Sequence, residues 1–154
     1  PVITEALYLV GTAEILNELP FRPRLKDITS VPLLLSPVQP AHRFVIDAAD
    51  RLGIELDVLG GTEDVRCMLE LCEQGLGITI LSASAATRAA MSGSLAVTPI
   101  AEPGLERNIR LTVQKDACWS AAVVLSEAIL DKLLHEALTH CRPEQSRPRF
   151  HCVQ

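Results

Sequence analysis

Apolar positions along the chain follow two spacings. Val65, Met68, Leu69 and Cys72 recur at i, i+3, i+4 and i+7, the signature of one buried helix face, and Val45, Ala48, Ala49 and Leu52 repeat it. Thr62 is the expected N-cap of the second helix, with Glu63 and Asp64 beside the positive end of its dipole. Gly75 stands where a left-handed residue closes a helix. Leu76 to Leu81 then runs almost wholly apolar, which suits a strand covered on both faces. A helix feeding such a strand through a tight turn is half of a parallel crossover unit.

The other segments take their places around it. Glu5 to Gly11 reads as a strand. Thr12 to Pro32 is loop-like, with a short helical turn at Leu25–Ile28. Leu33 to Leu35 is a short buried strand, and a helix starting near Pro40 closes at Gly53. Strands are expected at Glu55–Leu59, Leu95–Ile100 and Arg107–Gln114. Ser82 to Met91 forms a helix capped by Ser82 or Ser84, and Ser120 to His140 a long amphipathic one. Arg142 to Gln154 is a polar tail. The fold class is therefore α/β. Residues 31–100 form an open parallel sheet flanked by helices, and residues 1–30 and 101–141 belong to something beside it.

Composition narrows the picture. The chain has 154 residues, 48% of them hydrophobic but only 3% aromatic, so its core is aliphatic. A net charge of −5 argues against nucleic-acid binding by this segment unaided. No apolar run approaches the roughly 18 residues of a spanning helix. The first residues, PVITEALYLV, lack the charged start and cleavage site of a secretory signal, and open into a strand as though cut from something longer. The five cysteines (Cys67, Cys72, Cys118, Cys141 and Cys152) are odd in number and scattered, which favours reduced thiols in a cytoplasmic protein. No CxxC or HExxH spacing supports a metal site at His140-Cys141 or His151-Cys152.

Candidate chemistry lies at the strand ends. In open α/β sheets, ligands bind outside the carboxyl ends of the strands, where helix N-termini converge. Ser36, Thr62 and Ser82 each follow a strand, so hydroxyls and free amides face one sheet edge. Thr62 and Ser82 also suit simple capping. Arg43, in a first helical turn beside His42, suits solvent, a pair with Asp47, or an anion clamp. Gly75-Leu76-Gly77 is no dinucleotide fingerprint, because it follows a helix and lacks the third glycine; GxxxxGK[ST] and GxSxG do not occur. No carboxylate pair is set for acid–base work, so neither catalysis nor a cofactor is expected.

Leu7-Tyr8-Leu9-Val10-Gly11, Pro32-Leu33-Leu34-Leu35 and an Arg43 opening a helix resemble the effector-binding domain of LysR-type transcriptional regulators. Glu73 to Leu81 resembles that family's "VaaGlGiallP" stretch. Gly93-Ser94-Leu95 through Pro99-Ile100, Glu102-Pro103 and Arg107 to Leu111 resemble its "G.L..vpi.ep...r.l.L", and Ser120-Ala121-Ala122 its last helix. The resemblance spans about Glu5 to Leu138 and implies a type II periplasmic-binding-protein-like fold of two subdomains joined by two crossovers. Residues 31–100 would be the second subdomain, residues 1–30 and 101–141 part of an incomplete first, and residues 142–154 the tail. The implied effector cleft is lined by Ser36, Pro37, Val38 and Gln39, by Ser82 and Ala83, and by Pro99 and Ile100, with Thr62 nearby; Arg43 is a further candidate as an anion clamp, though solvent or Asp47 suits it better. Ser82 stands where the family has proline. The implied partners are a small-molecule effector and further copies in a homodimer or homotetramer. DNA would be reached only through an N-terminal helix-turn-helix absent from this sequence, and no membrane contact is implied. Lobe closure near Val31 and Ala101–Leu105 would be the response. A solute-binding protein serving a transporter is the alternative. Peroxide sensing by a thiol pair is not expected, since no cysteine lies between Leu33 and Leu59.

Overall fold

A computed structural model of the chain describes residues 2–101 and 105–110, and further on 125, 126, 128–130, 132, 133 and 136. Among the described residues six strands form the sheet: β1 (Val2–Gly11), β2 (Leu33–Leu34), β3 (Val58–Gly60), β4 (Ile78–Ser82), β5 (Ala96–Pro99) and β6 (Glu106–Arg110). Between them lie helices α1 (Ala13–Asn17), α2 (Pro40–Leu52), α3 (Val65–Glu73) and α4 (Ala83–Met91), with a 3-10 turn at Leu25–Ile28.

Strand order is β3-β2-β4-β1-β5, with β6 pairing to β1. β2 is parallel to both β3 and β4, as expected of crossover units. β1 runs antiparallel to β4 and to β5, so the sheet is mixed and not parallel throughout. Five of the described strands (β2 to β6) thus point one way, and β1 runs the other way. The two halves of β1 have different partners: Leu7 to Gly11 pair with β4 and β5, and Val2 to Ala6 pair with β6.

Period-2 alternation divides the strand residues between two aliphatic layers. Leu7, Leu9, Leu33, Leu35, Ile78 and Ile80 pack with Val45 and Ala48 of α2, with Leu16 of α1, and with Leu25 and Ile28. Val10, Leu34 and Leu81 face the other way, onto Met68 and Cys72 of α3 and Ala86 and Ala89 of α4. Small alanines let α4 approach the sheet closely, which suits a core with few aromatic rings. Thr79 is fully buried in β4, and its hydroxyl has no hydrogen-bond partner among the described residues.

Several expectations need correcting. Thr62 does not cap α3: Asp64 does, its Oδ1 accepting from the Arg66 amide at 2.7 Å, while Thr62 Oγ1 accepts from the Asp64 amide at 3.2 Å. The helix begins two residues later than Thr62 implied, and Val65, in its first turn, is exposed. Leu52, the last residue of α2, and Leu76, in the turn before β4, are exposed for the same reason, since each lies past the sheet it was meant to cover. β3 covers only the end of Glu55–Leu59 and reaches Gly60. The loop-like stretch holds α1, capped by Thr12, whose Oγ1 accepts from the Ile15 amide at 3.5 Å.

Gly75 takes the left-handed conformation expected of it (φ 73°) and lets α3 turn into β4. Residues 125, 126, 128–130, 132, 133 and 136 are helical, within the span expected for the last helix. The rest of that expectation lies outside the described residues, as do the strand past Arg110, the tail and Cys118, Cys141 and Cys152.

Cys67 is exposed and Cys72 buried, both as free thiols. Burial, with a smaller contribution from the Glu73 charge, pushes the Cys72 thiol up to about 11 from 9.0. Between those pH values the unfolded chain has lost this proton and the folded chain keeps it. Stability contributed by the thiol is therefore fully present below about 9 and is lost as pH rises towards about 11, by about 1.4 kcal/mol per pH unit. Urea titrations at pH 8 and pH 10 are expected to differ by about 1.4 kcal/mol more in the wild-type chain than in Cys72→Ala. Equal differences would refute the assignment.

Candidate functional site

Because β2 to β5 share one direction, their carboxyl ends meet at one sheet edge. Leu34 pairs with Thr79, and carrying that register forward sets Ser36 beside Leu81, one residue before Ser82. Leu35 donates its amide to the Gly60 carbonyl at 2.8 Å, which brings Gly61 and Thr62 to the same edge. A Cβ at Gly61 would come within 3.0 Å of the Ser36 amide nitrogen, so the two chain segments touch. β1 carries the edge across: Leu7 pairs with Ser82 on its near side and Tyr8 with Pro99 on its far side, where the Ile100 amide donates to the Leu7 carbonyl at 3.4 Å. Ser36, Thr62, Ser82 and Pro99-Ile100 therefore share one edge, in the order the strands dictate.

The side chains there differ in character. Ser36 is 2% exposed, and its carbonyl accepts from the Gln39 amide at 3.0 Å, making a tight turn that throws Pro37 and Val38 into solvent. Gln39 precedes α2 without capping it, and its side-chain Nε2 and Oε1 are both shielded yet have no hydrogen-bond partner among the described residues. A buried primary amide with all its hydrogen-bonding capacity unspent is costly, by about 1–3 kcal/mol per group. Arg43 extends into solvent with 88% of its side chain exposed, its Nε 3.8 Å from Asp47. It stands on the rim and is not drawn to the strand ends. Ser82 occupies the N-cap position of α4, but its hydroxyl lies 3.2 Å from Ser84 Oγ and caps nothing. Ala83 is buried beneath it.

One functional group escaped sequence reasoning. Glu5, 2% exposed, sits on β1 just beyond this edge, directly across the ladder from Arg107. Its Oε2 accepts from Arg107 Nε at 3.1 Å and Nη2 at 2.5 Å, and its Oε1 accepts from the Ser84 amide at 3.2 Å. A glutamate opening a strand of β-formers carries no local sign of burial. The only available hint was an acidic residue alternating in phase with Leu7 and Leu9, which are core positions.

A hollow of about 470 Å³ lies elsewhere, between the end of α2 and the approach to β3, lined by Ile46, Ala49, Asp50, Ile54 and Leu56. Its lining comes from the carboxyl end of α2 and the approach to β3, away from the ends of the parallel strands, and includes no helix N-terminus. Among the described residues no group of three or more His, Cys, Asp or Glu could hold a metal ion, and no helix is long and apolar enough to cross a membrane.

A family model, the LysR substrate binding domain, matches residues 1–133. No curated protein matches the chain. Among solved structures, the effector binding domain of QuiR in complex with shikimate superposes with a TM-score of 0.66 at 20% identity, over 89% of this chain and 63% of that one. A mutant of OxyR from Corynebacterium glutamicum gives 0.70 at 20% identity, over 90% of this chain and 44% of that one. Full-length CbnR complexed with target DNA gives 0.56 at 18% identity, over 92% of this chain and 47% of that one. The chain thus spans less than two thirds of each of these proteins, and at such identities the likeness establishes the fold.

Proposed function

The chain belongs to the LysR substrate binding domain family, and on that premise we propose that it is the effector-sensing portion of a cytoplasmic transcriptional regulator. The effector is a small metabolite, taken at the edge formed by Ser36 to Gln39, Thr62, Ser82-Ala83 and Pro99-Ile100, with Arg43 as a charge on its rim. The carrying observation is Gln39: its amide is shielded, has no partner among the described residues and lies beside buried Ser36, which suits a polar guest supplying the missing hydrogen bonds. Family membership favours this reading over a solute-binding protein serving a transporter. The family is not an enzyme class, and no catalytic residue or cofactor is assigned.

In this reading residues 31–100 are the second subdomain, and residues 1–30 and 101–141 are part of the first. Val31 packs against the core, whereas the antiparallel ladder of β1 and β6 projects past the site edge, so that ladder is the better seat for lobe movement than Val31. Effector binding biases two lobe arrangements by its differential affinity for them. DNA contact belongs to another segment of the whole regulator, as full-length CbnR is the protein solved with its target DNA. Leu125, Ile129, Leu130 and Leu133 lie exposed on helical residues, which supports burial against another copy in a homodimer or homotetramer.

Calorimetry of the full-length regulator against a metabolite panel identifies the effector. Ser36→Ala, Gln39→Ala and Ser82→Ala are each expected to weaken its binding about tenfold, the loss of one well-made hydrogen bond. Unchanged affinity and induction in all three would sink the edge assignment.

A further inference from the structure

The amide end of α4 is the part of this edge best suited to an anion, and the chain already fills it. Ser82 takes the N-cap position without capping. In its place Glu5, 79 positions earlier in sequence, reaches the Ser84 amide with one carboxylate oxygen and Arg107 with the other. Two independent features distinguish this from an ordinary cap. The Glu5 side chain is 1% exposed while Arg107 remains 31% exposed, so the carboxylate is the inner member of the pair. It also ties together three elements, β1, β6 and α4, of which the last carries the Ser82-Ala83 turn.

We infer that Glu5 is a specificity-determining residue, an internal anion that closes the α4 end of the crevice to carboxylates and leaves it to uncharged hydrogen-bonding groups. This rests on the effector reading of the edge and narrows the effector class. A carboxylate approaching Ser82-Ala83 finds the nearest helix amide taken and a like charge behind it, and the Arg107 guanidinium is already engaged through two of its nitrogens. A hydroxyl or amide meets no such repulsion and can bond to Ser82 Oγ.

The test needs no effector. Removing the side chain with Glu5→Ala leaves a space bounded by the Arg107 guanidinium and the Ser84 amide, shaped for a small carboxylate. Thermal unfolding of the 154-residue chain is followed in sodium acetate, in acetamide and in sodium chloride of matched ionic strength. The wild type is expected to respond to acetate no more than to chloride. Glu5→Ala is expected to unfold at lower temperature, to recover at least half of the loss in acetate, and to show at least tenfold preference for acetate over acetamide. Should Glu5→Ala be unfolded in plain buffer, acetate or formate is expected to restore the folded circular dichroism spectrum. Glu5→Gln, which keeps the volume and drops the charge, is expected to ignore acetate.

Acetate stabilising the wild type as much as Glu5→Ala overturns the inference. So does a Glu5→Ala chain that neither binds acetate when folded nor refolds in it, or one that accepts acetamide equally well. The charge selectivity separates this role from mere structural support. Loss of the effector reading would appear in the Ser36, Gln39 and Ser82 variants, with the acetate response intact.

Discussion

A chain cut to residues 31–100 is expected not to fold. That span contains four consecutive strands and three helices with good local signals, but it lacks the strand at the centre of its own sheet. β1 sits between β4 and β5, and Leu7, Leu9 and Val10 are all but fully buried against both helical layers. Burying such side chains is worth about 1.5–3 kcal/mol each, so three of them approach the roughly 5–15 kcal/mol by which a domain of this size is stable. Without β1, β4 and β5 would also expose two unpaired edges lined with aliphatic residues, an invitation to aggregate. Circular dichroism and proton–nitrogen correlation spectra of the 31–100 fragment should show no cooperative transition and little dispersion. A fragment that melts cooperatively as a monomer would show that β1 is an accessory to the sheet and not its centre.

Gly77→Ala is expected to destabilise the whole chain by about 3 kcal/mol, at the upper end of overpacking costs. A Cβ built on Gly77 would lie 2.3 Å from the Pro32 carbonyl oxygen and 3.0 Å from its carbon. Both obstacles are backbone, and the same carbonyl accepts from the Ile78 amide at 2.9 Å, one of the bonds that registers β4 against β2. Relief requires pushing the strands apart where Leu33 and Ile78 meet in the core. For a chain of this length the melting temperature should fall by roughly 6–12 °C. Gly53→Ala is the control, since a Cβ there meets nothing within 4 Å and only the left-handed backbone (φ 65°) resists it. Its cost should be about 1–2 kcal/mol. Equal losses at the two glycines would mean that backbone conformation, not the contact with Pro32, explains why Gly77 is there.

Much of this molecule was legible because its signals are local. The stripes around Val45 and Met68 marked α2 and α3, and the apolar run before Ser82 marked β4. Ser36 and Ser82 were placed at a common edge by the rule that parallel strands end together. Apart from α1, which lies in a stretch expected to be loop, the errors of the local reading lay at element ends. Val65, Leu52 and Leu76 fit the helical or strand pattern but fall one step beyond the surface they would cover, and a periodicity says nothing about where its neighbour stops. Asp64 displaced Thr62 as cap because both residue types suit the position and only the backbone path chooses between them.

The amino-acid sequence by itself determined most of the elements, the aliphatic character of the core and the family motifs, since each depends on composition or on residues within a few positions of one another. Tertiary structure alone decided that β1 enters the sheet antiparallel between β4 and β5, because alternation with period 2 is the same for a strand pointing either way. It alone decided the role of Glu5 as well. A carboxylate is driven to water unless partners meet it, and here those partners, Arg107 and the Ser84 amide, lie 102 and 79 residues away and arrive only when the sheet closes around β1.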